Sequence, residues 1–115
     1  MAIARKALVW ALFAAGGTVT AFVYPVLIAL FLLASLGRVP PGLSFAGVQD
    51  LLGAWPMRLL LLGVIVLALW HAAHRMRVLC HDLGLRADRL LAWILYLAAG
   101  AGSLGALALL MGDIP

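Results

Sequence analysis

Charge is what this 115-residue sequence has least of: Asp, Glu, Lys and Arg together make up 10% of it, against 67% apolar residues. Glutamate is absent, and all four acidic residues are aspartates. A soluble domain carries roughly a quarter charged residues, so the composition excludes a free-standing soluble fold. With a mean hydropathy of +1.19 it describes an integral membrane protein. A spanning helix takes about 20 apolar residues to cross about 30 Å of hydrocarbon. Three spans with short connections fill this length, and no soluble catalytic domain is expected. The single cysteine, Cys80, excludes an internal disulfide and reads as a small packing residue.

What charge there is has a pattern. A net +4 could point to nucleic acid, but Arg5 and Lys6 precede the first apolar run, while Arg75, Arg77, Arg86 and Arg89 gather around the second connection. Basic clusters beside spans set orientation and touch anionic lipid, so no nucleic-acid partner is expected. After two crossings the two clusters share a side and outnumber Arg38 and Arg58 opposite. That side should be cytoplasmic, with the N-terminus on it and the C-terminus, carrying Asp113, on the periplasmic side.

The chain thus reads as one all-α unit over 1–115 with spans at about 7–36, 57–83 and 88–112. The first run is too long for the about 7–15 apolar residues of a cleavable signal. Pro25 lies inside it and removes a backbone donor, predicting a kink near Ala21 to Pro25 with Thr18 and Thr20 at hand for freed groups. Gly16 and Gly17 permit the close approach of another backbone or of a flat ligand. Pro40-Pro41-Gly42 demands a loop. Phe45, Val48, Leu51 and Leu52 around Gln49 and Asp50 then form a short amphipathic segment lying on the membrane within the first external connection. Trp55-Pro56 anchors and starts span two, Gly84 stops it, and Gly100, Gly102, Ser103 and Gly105 are packing positions in span three.

The polar chemistry is concentrated in Leu69 to Leu83, which holds all three histidines, Cys80 and Asp82. In a helix turning about 100° per residue, His71, His74, Val78 and His81 share a face with Arg75 and Asp82 beside it. Trp10 and Phe13, at the start of span one, lie at the depth of His74 and Arg75, at the end of span two. They read either as an interfacial aromatic belt or as a pocket wall. An aromatic wall, an imidazole and a fixed cation suit a ring bearing two oxygens that alternate between carbonyl and phenol, as in a membrane quinone. Three alternatives stand beside it. The histidines could bind metal, although they match no zinc spacing. One of them could be an axial haem b ligand with a partner supplying the other, or the cluster simply snorkels to headgroups.

Two stretches carry a family resemblance. Trp10-Ala-Leu-Phe13-Ala-Ala-Gly16-Gly17, followed by the run through Pro25, and Trp70-x-x-x-His74-Arg75-Met76 with His81-Asp82-Leu83 together resemble the D subunit of bacterial four-subunit quinol:fumarate reductases, from Val9 to Leu110. The resemblance implies a membrane anchor in the bacterial inner membrane without a fumarate active site or catalytic residue of its own. It implies a second three-helix anchor, the C subunit of the complex, as partner, with an iron–sulfur subunit and an FAD-bearing flavoprotein held on the cytoplasmic face. It implies a shared menaquinol site at Trp10, Phe13, Gly17, His74 and Arg75, with the proton-accepting carboxylate in that second anchor, and neither haem nor a metal in this chain. His71 and Arg77 fall outside the fixed positions of that pattern. The readings that compete with it are an anchor of succinate dehydrogenase type with a haem b ligand, and a purely structural assembly subunit.

Overall fold

In the computed structural model, which describes residues 2–112, the regular elements are all helices: α1 (Ala2–Ser35), a 3-10 turn (Pro41–Leu43), α2 (Phe45–Gly53), α3 (Trp55–Asp82) and α4 (Asp88–Met111). Three of these helices, α1, α3 and α4, are long and apolar enough to cross a membrane. At about 1.5 Å per residue, the 28 residues of α3 span about 42 Å. That exceeds the hydrocarbon thickness, so its polar last turns can emerge from it. Asp113 lies outside the described residues.

The helix ends follow local chemistry. Gly37 and Gly84 adopt φ of +70° and +85°, the left-handed conformation that glycine takes without a Cβ penalty. Each closes a Schellman turn: Arg38 N–H reaches Leu33 O at 2.8 Å and Gly37 N–H reaches Ala34 O at 3.0 Å, and the same pattern joins Leu85 to Cys80 and Gly84 to His81. The second connection thus begins where Gly84 predicts. Ser44 caps α2 by accepting from Gly47 N–H at 3.2 Å, and Pro56 occupies the first turn of α3.

Pro25 does not divide α1, which runs unbroken through it. The nearby hydroxyls serve other carbonyls than the one proline frees: Thr18 donates to Ala14 O and Thr20 to Gly16 O, both at 2.9 Å. Ser103 likewise donates to Ala99 O at 2.7 Å. Returning hydroxyls to the helix's own carbonyls satisfies them where lipid offers no partner.

The central helix is α3, with α1 and α4 packed on it. On the α1 side the contact is backbone to backbone: a Cβ built on Gly16 would stand 2.6 Å from the Leu67 carbonyl oxygen and 2.9 Å from His71 Cβ. On the α4 side, a Cβ on Gly102 would meet Leu69 Cδ1 at 3.0 Å. Gly100 and Gly105, expected as packing positions, have nothing within 4 Å. At the end away from the histidines, Arg58 ties α3 to α2 and α4, donating to Leu52 O and, at 3.4 Å, to Leu110 O. Little else is enclosed: among the described residues only Gly16, Thr20, Ala73, Ala99 and Leu110 are buried.

Gly16→Ala should therefore push α1 off α3, because the obstructing atom is a carbonyl oxygen that cannot swing aside. A loss of about 1–3 kcal/mol is expected, read as a lowered unfolding midpoint in detergent. Gly63→Ala, with open space at the new methyl, should leave the midpoint unchanged or slightly raised.

Candidate functional site

The close approach at Gly16 brings the first turns of α1 against the last turns of α3, and four rings meet there. Phe13 stacks on His71 with centroids 4.6 Å apart and planes 18° apart. It meets His74 edge-on at 4.7 Å and Trp10 edge-on at 5.7 Å. His71 Nδ1–H donates to the Phe13 carbonyl at 3.1 Å; a carbonyl only accepts, so the proton must sit on that nitrogen.

Beneath these rings lies a cavity of about 490 Å³ lined by Val9, Leu12 and Phe13 from α1, Val66, Leu67, Trp70 and His74 from α3, and Tyr96 from α4. Its walls are aliphatic and aromatic, with an imidazole, an indole and a phenol as the polar groups. A hydrogen bond of 2.9 Å joins His74 Nδ1 to the Tyr96 hydroxyl. Trp70 and Tyr96 stack at 5.7 Å with planes 21° apart and also line a second cavity, of about 530 Å³, on the α3–α4 face. The stacked pair therefore separates the two cavities.

The second cavity is the polar one. Arg77 grips Asp88 with both branches of its guanidinium, Nε to Oδ1 at 2.8 Å and Nη2 to Oδ2 at 2.5 Å, the fork geometry that matches a carboxylate. This pair joins α3 to the first residue of α4, and Arg89 and Trp93 are among the other lining residues. Among the described residues, no three His, Cys, Asp or Glu side chains gather as metal ligands.

Of the five residues expected at a common site, Phe13 and His74 line the first cavity. Trp10, two-thirds exposed, touches Phe13 but lies outside the lining. Gly17 faces His71, whose Cε1 would be 2.8 Å from an added Cβ, so the space that glycine leaves is filled by this chain's own imidazole. Arg75 is exposed and lines neither cavity. The shared face expected for His71, His74, Val78 and His81 divides in the same way, with His71 and His74 engaged and Val78 and His81 exposed.

Sequence reasoning missed Tyr96 and the Arg77–Asp88 pair. A signal for Tyr96 existed: it lies as far beyond the start of α4 at Asp88 as His74 lies before the end of α3 at Asp82. In an antiparallel hairpin, equal distance from the turn means equal depth.

The sequence of this chain is similar to those of known proteins. A family model described as the D subunit of fumarate reductase matches residues 2–111. The chain belongs to that family. Fumarate reductase D subunits from Mycobacterium tuberculosis (strain ATCC 25618 / H37Rv) and Mycobacterium bovis (strain ATCC BAA-935 / AF2122/97) are each 46% identical over 100 residues, covering 82% of this chain and 77% of the relative. One from Haemophilus ducreyi is 34% identical over 76 residues, covering 65% of this chain and 63% of the relative. As a member of the family, the chain is a membrane subunit with apolar helices, and a D subunit implies a multisubunit complex.

Gly17 and Gly16 should respond differently to a methyl group. At Gly17 the obstacle is the far end of a side chain, so Gly17→Ala should lower the unfolding midpoint less than Gly16→Ala. It should instead turn the His71 ring off Phe13, visible as a changed His71 imidazole signal in ¹⁵N spectra.

Proposed function

We propose that this protein anchors the soluble electron-transferring subunits of a fumarate reductase to the bacterial cytoplasmic membrane and contributes one wall of a menaquinol oxidation site. The observation that carries the proposal is the cavity between α1 and α3, with Phe13 and Trp70 as aromatic walls and His74 and Tyr96 as its hydrogen-bonding groups. Its volume of about 490 Å³ falls within the range of about 300–1,000 Å³ typical of small-molecule sites, and its make-up, apolar walls with few polar groups, is what such sites use. A quinol head is flat, apolar and carries an oxygen at each end, which suits ring walls and one imidazole.

Depth supports the reading as well. The site lies toward the helix ends that carry Arg5, Lys6, Arg75, Arg77, Arg86 and Arg89, the end that positive charge assigns to the cytoplasm. Quinol bound there stands close to a soluble iron–sulfur subunit on that face. On oxidation the two electrons pass to that subunit's iron–sulfur centre, and the two hydroxyl protons leave to the adjacent water. The electrons reach the flavoprotein, where fumarate takes them up with two protons to become succinate. A low-potential quinol, menaquinol, suits that acceptor.

Trp10 and Arg75 are rim groups in this scheme, open to the second anchor and to the iron–sulfur subunit. Arg75 has no hydrogen bond or ion pair among the described residues, and its cation is available to a partner's carboxylate or to charge developing on quinol. Gly17 acts through His71, which holds Phe13 in place by stacking.

His74→Ala in the assembled complex should reduce quinol-driven fumarate reduction at least tenfold, by about 1.4 kcal/mol or more, while reduction driven by a soluble low-potential dye is retained. Phe13→Ala should raise the KM for quinol about three- to tenfold, the scale of one lost ring contact. Loss of the soluble subunits from the membrane in His74→Ala would instead make the cluster a docking surface.

A further inference from the structure

Along α4, Arg89, Trp93 and Leu97 all line the second cavity. Residues four apart are neighbours on one face of a helix, so these three form a row. At about 1.5 Å per residue the row runs about 12 Å from the charged helix end toward the middle of the span. Its order is cation, indole, aliphatic chain. We propose that this row binds one phospholipid with a net negative headgroup, its phosphate at Arg89, its ester linkages beside Trp93 and an acyl chain over Leu97.

Charge selects the headgroup. The cavity lining holds three charged groups, Arg77, Asp88 and Arg89, and two of them cancel. Asp88 is gripped by the Arg77 fork. Arg89 is exposed and makes no hydrogen bond or ion pair among the described residues. The cavity is left with one uncompensated positive charge, and Arg77 has more N–H donors than its fork to Asp88 uses. A zwitterionic headgroup brings an ammonium of its own, and the carboxylate that would meet it is already occupied. Arg86, exposed in the α3–α4 connection, adds to the attraction of anionic lipid to this end.

The apolar part of the row selects a lipid over other anions. Trp93 is 65% exposed and Leu97 62%. Indole favours the headgroup boundary, where its ring lies against hydrocarbon and its N–H meets a polar atom such as an ester oxygen. Free phosphate would neutralise Arg89 and leave the indole and the leucine uncovered. An acidic side chain of a soluble subunit would do the same, and an uncharged quinol would leave Arg89 without a counterion. A phospholipid meets all three levels at once. The stacked Trp70 and Tyr96 rings stand between this cavity and the first one, so lipid here leaves the quinol-sized cavity free.

The test places the assembled complex in phosphatidylcholine nanodiscs that contain an equal share of either bromine-labelled phosphatidylglycerol or bromine-labelled phosphatidylcholine. The Trp93 fluorescence is taken as the difference between the complex and its Trp93→Phe variant. Brominated phosphatidylglycerol should quench it more strongly than brominated phosphatidylcholine. Arg89→Gln should cut the preference about fivefold, the scale of one basic side chain at an anionic surface. Lys6→Gln, a change at the same end but on α1, should leave the preference intact, as should added inorganic phosphate. Equal quenching by the two lipids, or an equal loss in Lys6→Gln, overturns the proposal in favour of diffuse attraction to the membrane surface. No quenching by either lipid means that another subunit covers the row, and a preference abolished by inorganic phosphate means a phosphate-ion site. Either result also overturns it.

Discussion

The contact between Gly16 and the Leu67 carbonyl sets the geometry on which the rest depends. Between helices in lipid there is no hydrophobic driving force, since the lipid tails are as apolar as the side chains, and association rests on close van der Waals packing. Two glycines in succession let α1 come to backbone distance from α3. Only at that separation does Phe13 lie flat on His71 and edge-on to His74. The ring cluster and the cavity below it are consequences of a missing methyl group.

A second constraint is the cost of polar groups near hydrocarbon, which restricts them to places where they satisfy one another. The chain meets it in two ways. Hydroxyls in mid-helix return to their own helix's carbonyls, as Thr18, Thr20 and Ser103 do. Arg77 and Asp88 stay at the α3–α4 turn, paired and still partly open to solvent, at 33% and 45%. Between these regimes, His74 and Tyr96 carry polar contact one step inward. The cavity thereby acquires a hydrogen-bonding wall without a carboxylate, lysine or arginine in its lining.

The exterior has the opposite character from that of a soluble protein. Large apolar side chains such as Phe22, Phe31 and Leu109 are about three-quarters exposed, and no large side chain is fully enclosed among the described residues. Three helices arranged as a central one with two flanks cannot cover their own surfaces. Lipid and neighbouring subunits must do so, in keeping with membership of a family whose name denotes one subunit among several.

Much of this was legible in the sequence because it depends on local chemistry. Three apolar runs give three helices whatever their neighbours, and Gly37 and Gly84 end helices because a left-handed turn needs glycine. The gathering of every histidine near one helix end is equally a matter of sequence order. Other features depend on which side of a helix meets which neighbour, and three uniformly apolar helices give no amphipathic pattern to say so. Nothing in the sequence assigns Gly17 to His71 rather than to a ligand, turns Arg75 outward and Arg77 onto Asp88, or brings Tyr96 to His74. Nor does it tell Gly102, which meets Leu69, from Gly100, which meets nothing. The sequence by itself determined how many helices there are, where they stop and at which end the polar groups collect. Only the tertiary structure decided which of those groups touch, because that follows from the rotation and separation of packed helices, set by contacts between residues far apart in the chain.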